Sequence, residues 1–205
     1  MRSKKVLLFA VAAAFAVAAV PVAAQKPLSG TYGFTGEAIC LVSTGGFNAN
    51  LTPKTGSVVY VQSFTSNGSV TFVPNGTGTG GTATGSSTDI NINHTGGSVG
   101  SPSPSGSSVD FSLSLTYTQS GNLLTVQQGV SGTTVGTPIT GPDAGSGHIY
   151  SVDLPPVTGR IGKGSGPLVL TSADATVEDF KIMDSTGTVI ATHPRICHRT
   201  RVFVP

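Results

Sequence analysis

The run from Val109 to Thr118 constrains the fold more than any other segment. Val109, Phe111, Leu113, Leu115 and Tyr117 alternate with Asp110, Ser112, Ser114, Thr116 and Thr118. Successive side chains of a strand point to opposite faces, so this alternation makes one apolar row and one hydroxyl row. Ser120-Gly121-Asn122 then turns the chain into Leu123–Gln128, which predicts a hairpin. The same period of two begins at Tyr32, where Tyr32, Phe34, Gly36, Ala38, Cys40 and Val42 share a face opposite Thr31, Thr35 and Glu37.

Other segments read the same way. Val58–Ser63 predicts a second strand, and Asn67-Gly68 predicts a hairpin turn after it, since both residues tolerate positive φ. Ser69–Val73 is then the partner strand, ended by Pro74-Asn75-Gly76. Further strands are expected at His148–Val152, Leu168–Thr171, Thr176–Met183, Thr188–Thr192 and Ile196–Val204, with a turn at Asp184-Ser185-Thr186-Gly187. From Asn75 to Ser108 the composition shifts to Gly, Ser and Thr. The part through Asn93 reads as an edge or small-residue strand anchored by Ile90 and Ile92, and about 94–108, with Pro102 and Pro104, reads as a mobile loop. No segment after residue 24 combines a helical period with caps. The expected fold is all-β, a single antiparallel barrel of about 8–10 strands, with a sandwich as the alternative.

Cys40 and Cys197 are the two cysteines, one near each end of the expected domain. Joined as a disulfide, they fasten the last strand to the first, which is the joint that closes a barrel. Such a bond requires an oxidising compartment, and the N-terminus points to one. Arg2, Lys4 and Lys5 precede an apolar run from Val6 to Val20, and Pro21 breaks it before Val22-Ala23-Ala24. This is the order of a cleavable signal peptide over residues 1–24, leaving one domain over 25–205. The run of 15 residues is short of the roughly 20 that a spanning helix needs. The style is bacterial, and the expected location is secreted or periplasmic, with no stable membrane anchor after cleavage.

Without those three basic residues, Lys+Arg falls from 11 to 8 against 9 Asp+Glu, a formal charge of −1. That balance excludes a broad nucleic-acid surface. Only the C-terminal end is locally basic, with His193, Arg195, His198, Arg199 and Arg201. Arg195, Arg199 and Arg201 fall on one strand face, which reads as a solvated face or, in the sharper alternative, as an anion contact. Glu37, Asp179 and these arginines are the candidates for an internal ion pair.

Chemistry-bearing motifs are sparse. Gly76-x-Gly78-x-x-Gly81 matches a dinucleotide fingerprint in letters only, because no strand-to-helix transition surrounds it. His94, His148, His193 and His198 are scattered, and no metal-type cluster or nucleophile elbow occurs. Asp174 with Glu178, and Asp153 with His148, are the pairs that folding has a chance to bring together. No catalytic, cofactor or metal residue is assigned. A membrane barrel is disfavoured by the absence of Trp and of an aromatic C-terminus.

Gly30-Thr31-Tyr32-Gly33-Phe34-Thr35-Gly36, followed by Cys40, resembles the opening strand of small secreted bacterial β-barrel proteins of unknown function. Arg195-Ile196-Cys197-His198-Arg199 resembles their final strand. A weaker likeness is to lipocalin-like barrels, where Gly-x-Trp opens the first strand and a late Arg packs over the ring. Here Tyr32 stands in the Trp position, and Arg199 or Arg201 takes the part of the Arg. The likeness implies a closed barrel with an apolar ligand cavity. The apolar, uncharged inward faces make the leading functional expectation an exported, non-enzymatic barrel binding a small apolar ligand in its interior, since barrel mouths are common ligand sites. The alternative is a structural or surface-interaction protein of adhesin or envelope type.

Overall fold

The computed structural model describes residues 26–94, 105–128, 134–162, 166–172 and 175–205. The expected signal segment 1–24, residues 95–104 of the expected loop, and Asp174 lie outside them. Among the described residues there are eleven antiparallel strands and no helix. Five are long: β1 (Gly30–Ser43), β2 (Val59–Pro74), β3 (Gly80–His94), β4 (Ser105–Ser120) and β11 (Val189–Val204). Six are short: β5 (Leu123–Gln128), β6 (Thr134–Thr140), β7 (Ile149–Val152), β8 (Val157–Ile161), β9 (Leu168–Ser172) and β10 (Val177–Met183).

The short strands are halves of longer wall positions. β4 pairs with β5 along its C-terminal half and with β6 along its N-terminal half. β8 continues the wall from β5 and β7 from β6, after which β9 and β10 both reach β11. Because β11 also pairs with β1, the sheet closes on itself as a barrel-like ring of eight wall positions, three of them split. The eight wall positions follow one another in chain order. The split has a local cause, since more chain runs between the halves than the opposite strand can match. Leu115 pairs with Gln128 and Ser112 with Val135, so the partner chain advances from 128 to 135 while β4 steps only from 115 back to 112.

The side-chain alternation fills the ring. Val109, Phe111, Leu113, Leu115 and Tyr117 are all buried, as their period demands, and meet Tyr32, Phe34, Phe72, Leu168, Leu170 and Phe203 in the main apolar core. Tyr32 and Phe34 pack on Phe72 and Phe203 with ring centroids 5.6 and 5.2 Å apart. Leu28 plugs this end, donating its amide to Gln119 Oε1 at 2.8 Å and accepting Tyr117 Oη at 2.6 Å. A second apolar cluster, Ala38, Cys40, Val42, Tyr60, Phe64 and Cys197, occupies the other end. Cys40 and Cys197 pair directly across the β1–β11 seam as a disulfide with a 4.0 Å Cα–Cα separation.

Several expectations are corrected. Asn67-Gly68 makes no turn, because β2 runs straight through it and the chain reverses instead at 75–79. Gly68 serves close approach: a Cβ there would stand 2.1 Å from the Ser86 carbonyl oxygen on β3. The Gly/Ser/Thr-rich segment is a full interior strand of the sheet, paired on both sides, rather than an edge. Its Ile90 and Ile92 point outward, 52% and 47% exposed, and anchor nothing inside. The expected loop at 94–108 gives up His94 to β3 and 105–108 to β4. Thr188–Thr192 and Ile196–Val204 merge into β11. Pro194 is tolerated there because it stands one residue beyond Arg195, the last partner of β1 on that side. β6 and β8 carry too few large apolar residues to announce themselves, and neither was legible as a strand.

Candidate functional site

The same alternation that buries Cys197 and Phe203 must carry Arg195, Arg199 and Arg201 inward. The solvated face expected for these arginines is therefore overturned: Arg195 and Arg199 are 5% and 4% exposed, and Arg201 is half-buried. Glu178, on the inward face of β10, is the direct cross-strand partner of Arg195 and only 3% exposed. One of its oxygens, Oε1, accepts Arg195 Nε at 2.7 Å and also Arg199 Nη2. Arg195 Nη1 donates to Gln62 Oε1 at 2.7 Å on β2. The Arg195 guanidinium lies 4.8 Å from the ring centre of Phe180 and 5.7 Å from that of Phe64, so it sits between rings of the two apolar clusters. The internal ion pair thus uses Glu178. Glu37 is exposed and Asp179 faces away from the interior, which corrects that part of the expectation.

Charges in this pocket are tuned by neighbours. Burial alone lifts the Glu178 carboxyl, but Arg195 and Arg199 outweigh it and hold the group below its ordinary range. Asp89 on β3, 7% exposed, goes the other way, because burial dominates the help it draws from Arg201 and from the Ser87 hydroxyl at 3.0 Å. Burial lowers Arg195 and Arg201, though a guanidinium keeps its charge at neutral pH. Above the cluster, Tyr60 Oη and His193 Nδ1 lie 3.1 Å apart, and burial with the Arg195 charge pushes His193 down.

Two narrow cavities, neither of them sealed, flank these groups, each of about 20 Å³. One is apolar, between Phe34, Phe72, Leu113, Leu154 and Phe203. The other is lined by Asp89, Thr134, Arg195, Arg199 and Arg201. The larger concavity, about 320 Å³, lies outside, on the wall of β11, β1, β2 and β3, between Ile39, Ile90 and Ile92.

The remaining sequence candidates fall in separate places. Tyr32 packs on Phe72, while Arg201 lies over Phe34 at 5.8 Å and Arg199 over Phe64 at 5.9 Å, so neither arginine covers the tyrosine ring. Asp153 pairs with Lys181 at 2.5 Å rather than with His148. His148 instead meets Asp143 at 3.4 Å, and Asp143 also accepts Tyr150 Oη at 2.5 Å. Gly76 to Gly81 forms the β2–β3 turn and the first step of β3. Among the described residues no three His, Cys, Asp or Glu side chains converge on a point that suits a metal. Comparison with protein-family models, curated proteins and solved structures finds no match to this chain.

Proposed function

We propose that this is an exported, non-enzymatic interaction protein whose working surface is the outer wall of the barrel, where a partner protein docks. The observation that carries this reading is the contrast in room between inside and outside. Ligand pockets for organic molecules run from about 300 Å³ upward. The cavities within the ring, at about 20 Å³ each, have room for a water molecule or a single ion but not for an organic ligand of ordinary size. The outer groove, at about 320 Å³, is the one place of that size among these concavities.

The wall around the groove supports a polypeptide rather than a small molecule. Ile39 is 63% exposed, and Ile90 and Ile92 stand beside it with Glu37, Ser63, Thr65, His198 and Thr200 at the margin. The apolar surface continues through Val61, Leu41, Ile196 and Val177, which are successive partners across β2, β1, β11 and β10. An apolar centre with a polar rim, extended over several strands, is the anatomy of a protein interface. Elsewhere the outward rows are hydroxyl-rich, as in Ser112, Ser114, Thr116 and Thr118 of β4. That is the inverse of a lipid-facing barrel surface. The disulfide and the N-terminal sequence favour an oxidising compartment outside the cytoplasm.

A photo-crosslinking residue placed at Ile90 in the producing cells tests the reading. The expected result is an adduct of polypeptide mass from position 90, lost when Leu41→Asp is added, and none from Thr84 on the same strand. Recovery of the protein with a small-molecule mass excess released on denaturation, and no adduct at 90, would replace this reading with that of a carrier.

A further inference from the structure

We propose that the cavity among Arg195, Arg199 and Arg201 is a binding site for one halide-sized anion, chloride being the natural occupant. The charge count motivates it. Three guanidiniums enter the interior from β11, and two carboxylates, Glu178 and Asp89, face them. One positive charge is left over. An uncompensated charge inside a protein is costly, and a guanidinium does not relieve the cost by losing its proton.

Residues that carry unsatisfied buried donors line the same space. Glu178 Oε1 is already shared by Arg195 and Arg199. Arg199 Nε is buried without an acceptor, and so is the Thr134 hydroxyl. Arg201 is half-buried and rests on the Phe34 ring at 5.8 Å, with no hydrogen bond from its guanidinium to a described residue. Gly36, its cross-strand partner, leaves room for it, since a Cβ there would stand 2.6 Å from Arg201 Cγ. All three donor residues line the cavity of about 20 Å³. That volume suits a single-atom anion better than sulfate, phosphate or an organic acid. Asp89 also borders the cavity and opposes an anion there, but the Ser87 hydroxyl engages its Oδ1, and the guanidiniums outnumber it. Val152, the last residue of β7, and Leu154, between β7 and β8, are also in the lining, so the site lies beside a split in the wall.

Bromide is the probe, because it matches chloride in charge and nearly in size and scatters anomalously. Crystals of the disulfide-bonded protein soaked in sodium bromide are expected to show a peak within hydrogen-bond reach of Arg199 Nε and the Arg201 guanidinium. In solution, replacing gluconate by chloride at fixed ionic strength should raise the denaturation midpoint, with the folded-to-unfolded ratio gaining up to tenfold per tenfold rise in chloride. Arg201→Met should abolish that dependence. Bromide at surface positions only, or a midpoint indifferent to the exchange of gluconate for chloride, would mean that the cavity holds water and would overturn the proposal. The crystal result stands even where Arg201→Met fails to fold.

Discussion

Glu178 and Arg195 face each other across the β10–β11 ladder, and their side chains meet inside the barrel at 2.7 Å. Most cross-strand ion pairs lie on the wet side of a sheet. This one is buried with a second arginine, two flanking aromatic rings and a glutamine, so its energetics follow the rules of buried charge.

Removing one partner leaves the others uncompensated. Glu178→Gln is expected to lower stability by about 3–5 kcal/mol in equilibrium denaturation. Replacing all three charges by apolar side chains of similar size, Glu178→Leu with Arg195→Met and Arg199→Met, should recover most of that loss. A triple variant no more stable than Glu178→Gln would show that the network does more than neutralise itself.

Three titratable groups in this region couple stability to pH. His193 is held below its ordinary 6.5, so the unfolded chain takes up its proton first, and stability falls as pH drops below 6.5. Glu178 is also lowered, and its contribution, present above 4.5, is lost as pH falls through its folded value. Asp89 is raised above 3.8 and acts in the opposite sense, adding stability as pH falls through its folded value. Denaturation midpoints should therefore decline from pH 7 downward, and Asp89→Asn should remove the opposing component and steepen the acid limb.

Reduction of the disulfide opens a loop spanning 157 residues of sequence separation. The chain-entropy model assigns about 5 kcal/mol to such a closure, an upper figure. The double variant Cys40→Ala with Cys197→Ala should lose about 2–5 kcal/mol. A midpoint unchanged within error would mean that the β1–β11 ladder alone closes the ring.

Gly68 and Asn67 separate two roles that a sequence pattern confounds. Gly68→Ala should cost about 1–3 kcal/mol from overpacking against Ser86. Asn67→Thr, on the exposed face of a continuous strand, should stay within about 0.5 kcal/mol. Equal effects at both positions would restore the turn.

The legible parts of this fold are those written in alternation. Val109 to Tyr117 fixes a strand and its inward face, and the same period at Tyr32 to Val42 does so for β1. Cys40 and Cys197 marked the closing joint. The site was half legible: Arg195, Arg199 and Arg201 share a face by spacing, but that face also carries Cys197 and Phe203. Reading the five together places the arginines inside, whereas reading the charges alone places them in water. Glu178 was hidden because adjacent acidic residues on a strand point to opposite faces, and local sequence cannot say which face is in. Asn67-Gly68 misled because glycine serves both positive φ and close approach, and only the neighbouring strand distinguishes the two.

A cylinder with five continuous staves and three divided at the same level is stiff on one flank and jointed on the other. Hydrogen bonds along β1 to β4 and β11 tie the two ends together, whereas β5, β8 and β9 belong to one end and β6, β7 and β10 to the other. The outer groove lies on the stiff flank, and the arginine cavity lies beside the joint. A partner would meet a surface already set in shape, while the traffic of water or ions would use the side that can give.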